Sequence, residues 1–112
     1  MKREYRVKRH PEFDRIIKVG RKYKSERFTL YCELSPDQPH SRIGIAVGKK
    51  NGNAVTRVRI KRQVRAMLAK RNDYALPMNL IIVVRPNYHV GEFTASEAEL
   101  NALLDQIKER LN

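Results

Sequence analysis

The run Leu80-Ile81-Ile82-Val83-Val84 constrains this chain more than any other feature. Five consecutive apolar residues, most of them β-branched, offer no polar face to water, so the run predicts a strand covered on both sides and central in a sheet. Pro86 ends it by removing a backbone donor. Two further strands are predicted upstream. Phe28 to Leu34 alternates, with Phe28, Leu30, Cys32 and Leu34 on one face and Thr29, Tyr31 and Glu33 on the other. Ile43, Ile45 and Val47 alternate with the small residues Gly44, Ala46 and Gly48. The turn formers Ser35-Pro36-Asp37-Gln38-Pro39-His40 between them predict a hairpin, and the face carrying Gly44 and Ala46 leaves room for another group to approach.

Helical periodicity supplies the cover. After a basic, extended leader, Phe13, Ile16 and Ile17 fall at i, i+3 and i+4 behind Pro11-Glu12, with Gly20 as the stop. Lys49-Lys50-Asn51-Gly52-Asn53 reads as a tight basic turn, and Asn53 is the N-cap of a helix reaching about Arg71. At 100° per residue that helix groups Ile60, Val64, Met67 and Leu68 on one arc and sweeps the rest with Arg59, Lys61, Arg62 and Arg65. Thr94-Ala95-Ser96-Glu97 matches a capping box, followed at helical period by Leu100, Leu103, Leu104, Ile107 and Leu111, an amphipathic lid. The predicted order is α, two or three β, α, β, α. With 112 residues and 41% hydrophobic content, one domain over 1–112 is expected.

Charge indicates the partner. The net charge of +12 attracts polyanions, and it is unevenly placed, since no Asp or Glu occurs between Asp37 and Asp73. A cationic helix is ordinarily a solvated face whose Lys and Arg alternate with Glu for i, i+4 pairing. This one contains no acid and repels itself unless an anion compensates. Its excess of Arg over Lys suits bidentate phosphate contacts and stacking on bases, and the helix N-terminus after Asn51-Gly52-Asn53 adds backbone donors. Phe13 and Tyr31 are the aromatic candidates for stacking on an unpaired strand, and Tyr31 stands on the less apolar face of its strand.

Autonomous chemistry finds no support. His10, His40 and His89 are far apart, the acids are scattered, and Cys32 is the only cysteine. No catalytic residue and no protein metal site is therefore assigned, and no disulfide is possible within the chain. The longest apolar run is too short to span a bilayer, so a soluble protein of a reducing cytoplasm, without a membrane partner, is expected.

The stretch from Val47 to Arg65 closely resembles the signature of the bacterial ribonuclease P protein component. In that family a loop SKKxGNAV leads into RNRxKRxxR, and Lys49, Lys50, Gly52, Asn53, Ala54, Arg57, Arg59, Lys61, Arg62 and Arg65 fall on matching positions. Phe13, Gly20, the Phe28-Thr29-Leu30-Tyr31 strand and the apolar run before Arg85-Pro86 extend the resemblance over essentially the whole chain. Val58 stands where Asn is usual, Gly48 where Ser is usual, and Ile17 where an aromatic is common.

The resemblance implies an α/β (α+β) two-layer sandwich like the second domain of ribosomal protein S5, α-β-β-(β)-α-β-α, with a left-handed βαβ crossover containing the basic helix. General sheet chirality would favour the right-handed form. It also implies a bacterial, cytoplasmic ribonucleoprotein that removes the 5′ leader of precursor tRNA, with catalysis on an associated RNA and Mg2+ held through that RNA. The RNA-binding residues become Lys49, Lys50, Asn53, Arg57, Arg59, Lys61, Arg62 and Arg65, and a precursor-tRNA leader cleft takes Phe13, Ile17 and Tyr31. The alternative is a ribosomal or other structural RNA-binding protein, since basic α/β domains of this size are common there. An autonomous nuclease suffers from the missing His and carboxylate clusters.

Overall fold

The computed structural model describes residues 3–7 and 10–111. Four strands, β1 (Arg21–Lys24), β2 (Phe28–Leu34), β3 (Arg42–Val47) and β4 (Met78–Val84), form one sheet in the order β1-β2-β4-β3. Three helices join them: α1 (His10–Val19), α2 (Ala54–Arg71) and α3 (Phe93–Leu111). The apolar run takes the inner position its composition demands. β4 pairs antiparallel with β2 and parallel with β3, so that Ile82 lies between Leu30 and Ile45.

Both faces of β4 are covered. Leu80, Ile82 and Val84 join Phe28, Leu30 and Ile43 in the main core, which α2 closes with Ile60, Val64, Met67 and Leu68, and α3 with Leu100, Leu103, Leu104 and Ile107. This is the expected sandwich of sheet and helices. On the opposite face Ile81 packs with Ile16 of α1 and with Val7, and Phe13, Ile17, Tyr31 and Val83 flank them. Fully burying a side chain of this size stabilises the fold by about 1.5 to 3 kcal/mol, so the fully buried Ile81 and Ile82 hold two layers from adjacent positions.

Several local expectations are corrected. β2 and β3 do not form a hairpin, because β4 lies between them. Their connection crosses the start of β4, where Ser35 N–H donates to Pro77 O, Gln38 Nε2 to Met78 O and Ser41 N–H to Tyr74 O. Seven residues, 35–41, bridge two strand spacings of about 4.8 Å each, which a two-residue turn cannot do. Thr94 is not an N-cap, since α3 begins at Phe93 directly after a 3-10 turn at Val90–Glu92. Leu34 ends its strand 56% exposed, whereas Thr29 is buried beneath the α1 side of the sheet.

The leader is not simply extended. It makes a 3-10 turn at Arg3–Tyr5, Tyr5 stacks on Tyr74 at 4.4 Å between ring centroids, and Val7 N–H donates to Ile43 O on the outer edge of β3. Lys2, Lys8, Arg9 and the Leu111 side chain lie outside the described residues. The Gly20 stop is steric, as a Cβ there would lie 2.5 Å from Ile16 O.

Candidate nucleic-acid interface

α2 starts where expected. Asn53 Oδ1 accepts a hydrogen bond from Thr56 N–H at 2.9 Å, and Gly52 before it holds φ at 132°, a backbone region that favours glycine. The preceding turn at Lys49–Asn51 leaves Lys49 and Lys50 exposed beside the helix N-terminus. Its other end is closed by Asn72 in the left-handed region, whose N–H donates to Leu68 O.

The helix is electrostatically divided. In its last turn Lys70 pairs with Glu97 at 3.1 Å, and Arg71 with Asp73 at 2.7 Å and Asp105 at 2.9 Å. Among the described residues, Lys49, Lys50, Arg57, Arg59, Lys61, Arg62 and Arg65 form no ion pair. The uncompensated field therefore belongs to the first three turns and the loop before them. Arg57, Lys61 and Arg65, four residues apart, are half-buried along the β3 side, while Arg59 and Arg62 project into solvent. Gln63 turns inward, accepting from the Tyr88 hydroxyl and donating to Val90 O, so it serves the fold.

A second surface lies beside this helix. A cleft of about 380 Å3 runs between α1, β3 and α2, lined by His10, Phe13, Asp14, Ile17, Ala46 and Lys61 among others. A smaller hollow of about 170 Å3 continues past Phe13 and Lys61 to Arg6, Gly44 and Arg65. Gly44 is required here, since a Cβ would stand 2.5 Å from Phe13 Cζ and 2.9 Å from Ile81 Cδ1. The room predicted above Gly44 is thus filled by the chain's own Phe13. Phe13 and Ile17 line the main cleft. Tyr31 shares their sheet face and packs in the cluster beneath α1, outside the lining of either hollow.

Sequence reasoning missed Arg6, His10 and Asp14. The signal for the last two was available, because His10, Phe13, Asp14 and Ile17 fall at i, i+3, i+4 and i+7, one stripe of α1. Arg6 carried none, since its position depends on the non-local bridge to Ile43.

Burial pushes the Cys32 thiol up to about 11, far from a thiolate nucleophile. Among the described residues no group of three or more His, Cys, Asp or Glu is placed to hold a metal ion, and no helix is long and apolar enough to cross a membrane. What the arrangement can do is bind an extended polyanion on α2 and seat a partly apolar strand beside it.

A model of the Ribonuclease P family matches residues 1–108. The chain belongs to that family. The ribonuclease P protein component of Enterococcus faecalis is 38% identical over 109 residues, covering 96% of this chain and 92% of the relative. That of Streptococcus equi subsp. zooepidemicus is 35% identical over 108 residues, covering 96% and 90%. Among solved structures, the Staphylococcus aureus RNase P protein superposes with a TM-score of 0.80 at 30% identity, over 93% of this chain and 95% of that one. The Thermotoga maritima RNase P protein shares the fold at a TM-score of 0.71 and 24% identity, over 88% and 94%. The matching positions of that signature, Lys49 to Arg65, thus fall, in this ribonuclease P family member, on the loop and the unneutralised turns of α2.

Proposed function

We propose that this chain is the protein subunit of ribonuclease P in the bacterial cytoplasm, assisting RNA-catalysed removal of the 5′ leader from precursor tRNA. The observation that carries the reading is the division of α2. Among the described residues, seven cations around its first three turns lack acidic partners, while Lys70 and Arg71 have theirs. Lys49, Lys50, Arg57, Arg59, Lys61, Arg62 and Arg65 bind the backbone of the catalytic RNA. Asn53 acts mainly through the helix start it caps. Phe13 and Ile17 line the path of the leader, with Tyr31 contributing from the same sheet face. Mg2+ is held by the RNA.

Reconstitution tests this. The purified protein cleaves nothing alone, and adding it to its cognate RNA at low magnesium restores 5′ maturation. Site-specific cleavage by protein freed of RNA would refute the assignment. Phe13→Ala is expected to weaken precursor tRNA by about 1 to 3 kcal/mol if one leader base stacks there, with mature tRNA unaffected. Equal losses for both substrates would remove Phe13 from the leader path.

A further inference from the structure

The N-terminal half of α2 carries an apolar ridge that the fold does not use. Val55 and Val58, one turn apart, are 69% and 49% exposed, on a helix whose other large apolar side chains are buried. Val58, together with Ala54, lines two adjoining shallow grooves. One, about 340 Å3, is lined by Ala54, Val55, Val58, Arg59 and Arg62. The other, about 200 Å3, is lined by Val47, Ala54, Arg57, Val58 and Lys61. Each groove therefore pairs an aliphatic floor with two cations that form no ion pair.

Phosphate has no affinity for an aliphatic floor, and a duplex presents its base faces to one another rather than outward. An unpaired nucleobase presents an apolar face joined to a phosphate on either side, which matches a valine ridge flanked by cations. We propose that Val55 and Val58 form a docking site for an unpaired nucleobase of the bound RNA, with the adjoining phosphates on Arg59 and Arg62. The proposal rests on the RNA-binding reading of α2 and adds a contact to it that is independent of charge.

That independence makes it testable. Apolar burial is insensitive to counterion release, whereas each phosphate contact adds about −0.9 to the log-log salt slope on duplex-like RNA and about −0.7 on single strands. The V55S/V58S protein, whose substitutions are close to neutral in helix propensity, is titrated against in vitro transcribed ribonuclease P RNA across a salt series. Affinity is expected to fall about tenfold at every salt concentration with the slope unchanged, and one base protected from chemical modification by the parent protein becomes reactive. Unchanged affinity would overturn the site, as would a shallower slope, which would place the loss in phosphate contacts. A variant that alters self-association in sedimentation while leaving RNA affinity intact would also overturn it, by assigning the ridge to a second copy of the chain. A parent protein with no salt-steep RNA binding would instead sink the reading of α2 on which the site rests.

Discussion

Gly44 sits where β3 passes beneath α1, and its missing side chain lets the Phe13 ring lie directly on the strand. Gly44→Val should expel that ring and cost about 1 to 3 kcal/mol through overpacking, read as a lower urea midpoint, with weakened precursor tRNA binding. A stable variant with unchanged leader affinity would show that the ring's seat is immaterial. Gly44 was legible as a position needing space, but not what fills it, because Phe13 lies thirty-one residues upstream and arrives only through tertiary packing. Cys32 gives a second residue-scale prediction. Burial raises its thiol from 9.0 to about 11, and burial likewise raises Tyr88 from 10.0 to about 12. The folded state retains these protons after the unfolded chain has lost them, so stability is full below pH 9 and falls as pH rises through these values. Alkylation of Cys32 at pH 8 should proceed only after unfolding, and rapid labelling of the native protein would contradict its placement.

At the scale of elements, α2 is two devices in one helix. Arg62→Ala should make the salt slope of RNA binding shallower by about 0.9, whereas Lys70→Ala, which removes a cation already paired with Glu97, should leave it nearly unchanged. Equal effects would show that the division has no functional weight. The unpaired half was legible from its lack of acids. The paired half was not, since Glu97 and Asp105 reach it from α3 and only the fold brings them there. α3 is also tied to the turn between β1 and β2 through Glu99, which accepts from the Ser25 hydroxyl, Arg27 N–H and the Arg27 guanidinium. Partial burial alone would raise the Glu99 carboxyl, but these hydrogen bonds outweigh it and hold the group below its ordinary 4.5. Its contribution is therefore present above pH 4.5 and lost as pH falls through the depressed value. Glu99→Gln should cost about 1 to 2 kcal/mol near neutrality and flatten that acid limb, as followed by thermal melts from pH 3 to 7.

For the molecule as a whole, β2, β3, β4, the three main helices and the central place of the apolar run could be read from sequence pattern, whereas β1, made of Arg21-Lys22-Tyr23-Lys24, could not. Pairing could not, because alternation marks the faces of a strand and carries no information about its neighbours. Hence β3, expected beside β2, is found parallel to β4, and the edge it leaves is used by Val7. That insertion also sets an order in time. Among the described residues β4 is the only strand bonded to both β2 and β3, and it lies about two-thirds of the way along the chain. During synthesis the cationic turns of α2 therefore emerge from the ribosome before the strand that anchors their apolar side can pair beneath them. A chain ending before Met78 should lack a cooperative thermal transition while keeping the charge that draws it to RNA. The newborn protein is thus a sticky polycation first and a selective binder only once β4 has emerged and paired with its neighbours.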